Sequence, residues 1–199
     1  MNRLAETDYP IHDLLARRWS PRAFADRPLA PATLGALFEA ARWAASAFNE
    51  QPWRFIVARR EEESAFAELL ECLVEFNQGW ARHAPVLSLC LAKRTYTQTG
   101  EGNDHARHDL GLATAQLVVQ ATALGLYAHA MAGILPDVAR ERYAIPDDFD
   151  VVTGLAIGYL GDPATLPDDL HEREIAPRER RPLAELVFTG AWDQPATLG

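Results

Sequence analysis

Two groups of arginines stand out in a chain of 199 residues whose net charge is −9. Arg17, Arg18, Arg22 and Arg27 fall within eleven residues against a single acid, Asp26, and Arg173, Arg178, Arg180 and Arg181 gather near the other end. A guanidinium presents a planar fork of N–H donors that matches phosphate bidentately, and Ser20 adds a hydroxyl between the first arginines. Convergence on one phosphate is one use for two such groups. Surface pairing with Glu172, Glu174 and Glu179, or with helix C-termini, is the other, and spacing alone leaves both open.

A second unusual stretch is Ser46 to Phe55, SAFNEQPWRF, which puts an amide pair, a proline and three aromatic rings between a helix-like and a strand-like pattern. Short connections ordinarily need only small polar residues and glycine. Its plain reading is Asn49 capping a turn with Trp53 and Phe55 in the core. Other chemistries find little support. There is no GxSxG elbow, and neither Ser46 nor Ser88 has a histidine nearby in sequence. His105 and His108 offer two metal ligands where a site needs three, and His171-Glu172 lacks the second histidine of HExxH. No strand-helix junction carries GxGxxG; Gly154, Gly158 and Gly161 lie in or at the end of an apolar run. A nicotinamide cofactor would therefore visit the chain, not reside on a module of its own.

The elements that must position these residues follow from periodicity. Ile11 to Arg18 predicts a short helix stopped by Ser20-Pro21, and Pro31 opens a second through Leu34, Leu37, Phe38, Ala41 and Ala45. Trp53 to Arg59 alternates as a strand. Glu61 to Glu63 open one helix with an apolar stripe from Phe66 to Phe76, closed by Asn77-Gln78-Gly79. Val86 to Ala92 is a nearly continuous apolar run, the pattern of a strand covered on both faces. Lys93 to Asp104 predicts a mobile, lid-like loop. His105 to Leu124 predicts a long buried helix, Leu126 to Gly133 an extended segment, Pro136 to Tyr143 a helix and Val151 to Leu160 another strand. From Leu166 the chain is rich in charge and proline. Three or four strands among five helices make one α+β domain over residues 1–199.

Composition bounds the rest. At 48% hydrophobic and 24% charged residues the chain is globular. Its acidity argues against a general binder of nucleic acid or of anionic membranes. Leu110 to Leu135 has no Asp, Glu, Lys or Arg, yet Thr114, Gln116, Gln120, Thr122 and His129 interrupt it and Gly125 offers a stop, so a buried helix and strand fit better than a membrane span. Cys72 and Cys90 read as reduced, buried thiols, and MNRLAETDYP has no apolar signal core, which together point to the cytoplasm. So small a sheet leaves the uncharged helix and the C-terminal segment without a surface to cover them, which a partner chain would supply.

Taken in order, Arg18-Trp19-Ser20-Pro21-Arg22-Ala23-Phe24, Ala44 to Phe55, Asn77 and Trp80 before Ala84-Pro85-Val86, His129-Ala130-Met131-Ala132-Gly133, Ile157-Gly158-Tyr159 and Arg178-Glu179-Arg180-Arg181-Pro182-Leu183 resemble the FMN-dependent nitroreductase family. The resemblance implies a nitroreductase-like fold with a small central mixed or antiparallel sheet, and a homodimer whose C-terminal segment extends onto the partner. It also implies two FMN sites at the interface. Arg18, Trp19, Ser20 and Arg22 would hold the phosphate and ribityl end, with Arg180 reaching the same phosphate. Arg178 and Asn77 would face the pyrimidine edge. Ala45, Ser46, Ala47 and Asn49 would approach from the second subunit, and Met131, Ala132 and Gly133 would line the ring. Ala45 replaces a frequent proline, Trp80 a lysine of some members, and Ala132 a carboxylate of others. The implied reaction passes hydride from NADH or NADPH through the flavin to a small acceptor (nitroaromatic, quinone or activated alkene) by a ping-pong scheme without a catalytic side chain. Flavin fragmentation, reductive dehalogenation, and a non-catalytic flavin carrier or regulatory module are the alternatives.

Overall fold

A computed structural model describes residues 3–198. Four strands, β1 (Trp53–Arg59), β2 (Val86–Lys93), β3 (Tyr127–Met131) and β4 (Phe149–Gly158), form one sheet in the order β1-β2-β4-β3. Every pairing is antiparallel. The apolar run of β2 is central, and its period of two divides it: Leu87, Leu89 and Leu91 enter one core, Val86, Cys90 and Ala92 the other. Helices α2 (Pro31–Arg42) and α5 (Ala106–Ala123) cover the second face with Leu37, Ala41, Leu110, Ala113 and Leu117. Helices α3 (Glu63–Leu70), α6 (Pro136–Tyr143) and α7 (Asp168–Ile175) bring Phe66, Leu69, Ala139 and Leu170 to the first.

Three expectations change. The helix expected from Glu61 to Phe76 is two helices, α3 and α4 (Glu75–Ala81), so Asn77-Gln78-Gly79 lies inside a helix and closes none. The break is tertiary: Leu73 forms a bridge with Ile134, and the Val74 N–H donates to the Gly133 carbonyl at 3.1 Å, which draws the backbone out of helical pairing. The charged tail contains α7, a helix of mostly charged residues that buries only Leu170 and Glu174. The 93–104 loop is closed by the Thr95–Gly102 bridge and by the Asn103 N–H donating to the Arg94 carbonyl, with Asn103 buried. The first helix, α1, is Asp13–Arg17, inside the expected span. Both cysteines are buried and unpaired, and burial pushes the Cys90 thiol up to about 12. Among the described residues no helix is long and apolar enough to cross a membrane.

The segment after α1 is stitched to the end of β4. Phe24 bridges Leu160, the Ala25 N–H donates to the Tyr159 carbonyl at 2.9 Å, and the Gly161 N–H donates to the Ala23 carbonyl at 2.9 Å. Gly161 packs so closely that an added Cβ would lie 2.5 Å from the Phe24 carbonyl carbon. Backbone cannot yield as a side-chain tip can. Gly161→Ala should therefore cost about 2 kcal/mol or more of stability. Urea unfolding measures this directly, and an unchanged midpoint would show that the 23–25 segment is not held as described.

Candidate cofactor site

The two arginine groups meet. A cavity of about 200 Å³ is lined by Arg3, Arg18, Trp19, Ser20, Arg22, Arg173, Glu174, Arg178 and Arg180, so six guanidinium groups surround one carboxylate. Helix α1 delivers Arg18 through its C-terminal end, the β4 stitching fixes Arg22, and α7 leads into Arg178 and Arg180. Surface pairing of the arginines with Glu174 is excluded, because Glu174 is only 1% exposed and its carboxylate accepts backbone N–H groups from Arg22 at 2.9 Å and Ala23 at 3.1 Å.

The cavity is electrostatically unsatisfied. Arg18 is held below its usual pKa by burial and then by the nearby charges of Arg178 and Arg180, and Arg178 by burial, Arg180 and Arg3. Arg22 is lowered by burial against a restoring effect of Glu174. The Arg22 Nε is buried and has no hydrogen-bond partner among the described residues. Such a donor needs an acceptor. Arg178 is spent differently: its guanidinium donates to the carbonyls of Arg3 at 2.6 Å, Ala16 at 3.0 Å and Arg18 at 2.8 Å, threading the N-terminal segment onto the cavity wall. Arg3 donates in turn to the backbone carbonyls of Glu174 and Ala176 and lies over the Trp19 ring. Arg180 is exposed, and among the described residues it donates only to the Glu179 carbonyl, 2.6 Å away.

Behind this cavity a buried layer leads to β3. His129 Nδ1–H donates to the Pro21 carbonyl at 2.9 Å, and its ring lies 4.7 Å from that of Trp80, over which Arg22 stands at 5.9 Å. Asn77, one helical turn before Trp80, donates through Nδ2 to the Gly133 carbonyl at 2.9 Å. Gly133 has no room for a Cβ, which would meet Asn77 Nδ2 at 2.5 Å. The structure thus joins Asn77 and Gly133 directly, with Met131 buried beside them on β3 and Ala132 exposed between.

Ala45, Ser46, Ala47 and Asn49 do not line the arginine cavity. They belong to a compact loop with three non-glycine residues in the left-handed region: Phe48 at φ 52°, Asn49 at 55° and Gln51 at 53°. Asn tolerates this, whereas Phe and Gln each cost about 1–2 kcal/mol. Local bonds offset the strain. The Ala47 N–H donates to the buried Asp109 carboxylate at 3.0 Å, the Gln51 N–H to Ser46 Oγ at 3.0 Å, and the Thr97 N–H to the Glu50 carboxylate at 3.0 Å. The result is an outward Phe48, 90% exposed, edge-on to Tyr96 at 5.7 Å beside a cavity of about 280 Å³. Asp109, Arg3 and the carboxylate role of Glu174 escaped the sequence; an acid inside an apolar helix, as at Asp109, was the one available signal.

Residues 15–159 match the model of the Nitroreductase family, and the chain belongs to that family. Among solved structures, an oxidoreductase containing FMN superimposes with a TM-score of 0.89 at 40% identity, covering 94% of this chain and 95% of that one. A variant of an FMN and NADPH-dependent nitroreductase from a sphigopyxis species, 22% identical, shares the fold with a TM-score of 0.69 over 90% and 98% of the two chains. An uncharacterized 15.4 kDa protein of Mycolicibacterium smegmatis is 37% identical over 153 residues, 71% of this chain and 99% of its own.

Burial drives the pKa of His129 down to about 4, the Pro21 hydrogen bond opposing and Arg22 assisting. The unfolded chain then binds the proton first, so stability is complete above about pH 6.5 and falls as pH drops toward 4, by up to about 3 kcal/mol. His129→Asn should flatten this limb. Denaturant unfolding between pH 7 and 4.5 provides the comparison; equal slopes in the two proteins would contradict a half-buried, neutral His129.

Proposed function

We propose that this chain is an FMN-dependent oxidoreductase that takes hydride from NADH or NADPH and passes it to a small acceptor, a nitroaromatic, a quinone or an activated alkene, donor and acceptor using one site in turn. The observation that carries this reading is the arginine cavity with its unpartnered, buried Arg22 Nε. A phosphate monoester fits that donor set in charge and in geometry. FMN, when bound, supplies the two-electron chemistry.

The chain's own residues bind and orient. Arg18, Ser20, Arg22 and Arg180 hold the phosphate and Trp19 stands beside the ribityl chain, while Arg178 acts from the cavity wall. Asn77 and the Met131-Ala132-Gly133 turn would lie along the ring, the turn held in place by Asn77 Nδ2 and the Val74 N–H donating to the Gly133 carbonyl. The exposed Phe48 and the half-buried Tyr96 form the apolar side of the acceptor space. Arg22→Ala or Arg180→Ala should weaken FMN binding roughly 10- to 100-fold, the worth of charge-assisted hydrogen bonds, with a smaller effect on turnover of the loaded protein. Flavin fluorescence titration tests this, and wild-type affinity in both variants would sink the phosphate assignment.

The site is completed by a homodimer in this reading, Ala45 to Asn49 coming from the second subunit. Three observations support it. Helix α5 exposes an uncharged face of Gly111, Leu112, Ala115 and Gln116. The C-terminal segment leaves Leu186 and Trp192 exposed, the latter by 86%. The accessible surface of 11502 Å² exceeds the roughly 9,300 Å² expected of a compact monomer of this mass by about what a stable interface conceals. Ala115→Glu should convert a dimer to a monomer and lower its FMN content. In sedimentation experiments, a monomeric wild type carrying a full complement of FMN would rule the shared site out.

A further inference from the structure

We propose that Glu174 is the positioning residue of the phosphate cavity, acting through Arg22 to make the site read the phosphate of its ligand. The proposal rests on the reading of that cavity as the FMN phosphate site. Glu174 lies beyond the residues matched by the family model and is the one acid among the cavity's six arginines. A carboxylate buried to 1% exposure is expensive unless charge and hydrogen bonds compensate it. Here both do.

Its partners define what it does. Oε1 accepts from the N–H groups of Arg22 at 2.9 Å and Ala23 at 3.1 Å, and Oε2 from Arg22 at 3.0 Å. Those two N–H groups flank the Arg22 Cα, so one rigid carboxylate fixes the backbone on both sides of it and leaves Arg22 only its side-chain torsions. That side chain carries the buried Nε with no partner. Glu174 also places one negative charge among the six guanidinium groups before any anion arrives. It consumes backbone donors and so directs the anion to the arginine side chains. A neutral amide of the same shape would keep the volume but make weaker bonds, and would set an N–H against an N–H. A shorter carboxylate would keep the charge but not the reach.

The experiment compares FMN with riboflavin, which differ only by the phosphate, in wild type, Glu174→Gln, Glu174→Asp, Arg22→Ala and the Glu174→Gln/Arg22→Ala double variant. Glu174→Gln and Glu174→Asp should each reduce the FMN-to-riboflavin affinity ratio about 10-fold or more, riboflavin binding holding within about twofold. The double variant should bind FMN little worse than Arg22→Ala, because the losses share one cause. If Glu174→Gln fails to fold, Glu174→Asp carries the comparison. A second readout needs no flavin: inorganic phosphate should raise the melting temperature of the flavin-free wild type and not of the Glu174 variants. Wild-type protein that ignores FMN yet keeps this Glu174-dependent response to phosphate would refute the FMN assignment and leave Glu174 in its role. An unaltered FMN-to-riboflavin ratio in both Glu174 variants, or additive losses in the double variant, would overturn the proposal itself.

Discussion

Both loops assigned to the cofactor are tied down by a buried carboxylate that accepts backbone N–H groups. Glu174, on α7, holds Arg22 and Ala23; Asp109, on α5 and 3% exposed, holds Ala47. Each acid gives up water and recovers the loss only while its loop keeps the right shape. The dependence runs both ways. Neither loop has enough regular structure to satisfy its own N–H groups, and neither acid is tolerable in the core without them. The remainder of the fold serves these two junctions: the antiparallel sheet anchors α5 on one face and α7 on the other, so two helices on opposite sides of one layer set the two loops.

The same economy governs charge. A chain with net charge −9 concentrates six cations around about 200 Å³ while keeping His129, directly behind them, neutral. One further positive charge there would add to the burial and the repulsion that already hold Arg18 and Arg178 below their usual range. Aromatic faces take the place of charge in that layer: Trp80, between His129 and Arg22, presents a π surface to a guanidinium without needing a counter-ion.

Local patterns made the sheet readable. β1 appears in the sequence with the bounds it has in the structure, and β2 differs by one residue, because period-two alternation and a two-faced apolar run are local statements. Helix α6 was equally plain between Pro136 and Tyr143. What escaped was tertiary in origin. The split of α3 from α4 depends on Leu73 and Val74 pairing with residues sixty positions away, and α7, set in a run rich in charge and proline, turns the charged Glu174 inward. At the site, the arginines and the Ser46–Asn49 loop were visible as types in unusual places, and the residues that hold them were not. An acid looks like a surface acid until its burial is known, and left-handed Phe48 has no signature in a stretch that contains no glycine.

The junction between the chain's two ends has a consequence for the order in which this protein comes into being. Arg178 holds the carbonyl of Arg3 across a separation of 175 residues, and Arg3 holds Glu174 across 171. Closing a flexible loop of that length costs about 4.5 kcal/mol in entropy, a cost met only once the sheet has already brought the ends together. The sheet and its helices can form as the chain emerges from the ribosome, since β4 ends at Gly158. The arginine cavity cannot. It closes after Arg178 and Arg180 have been synthesised, so a chain cut short before them would keep its sheet and lack the cavity's C-terminal wall.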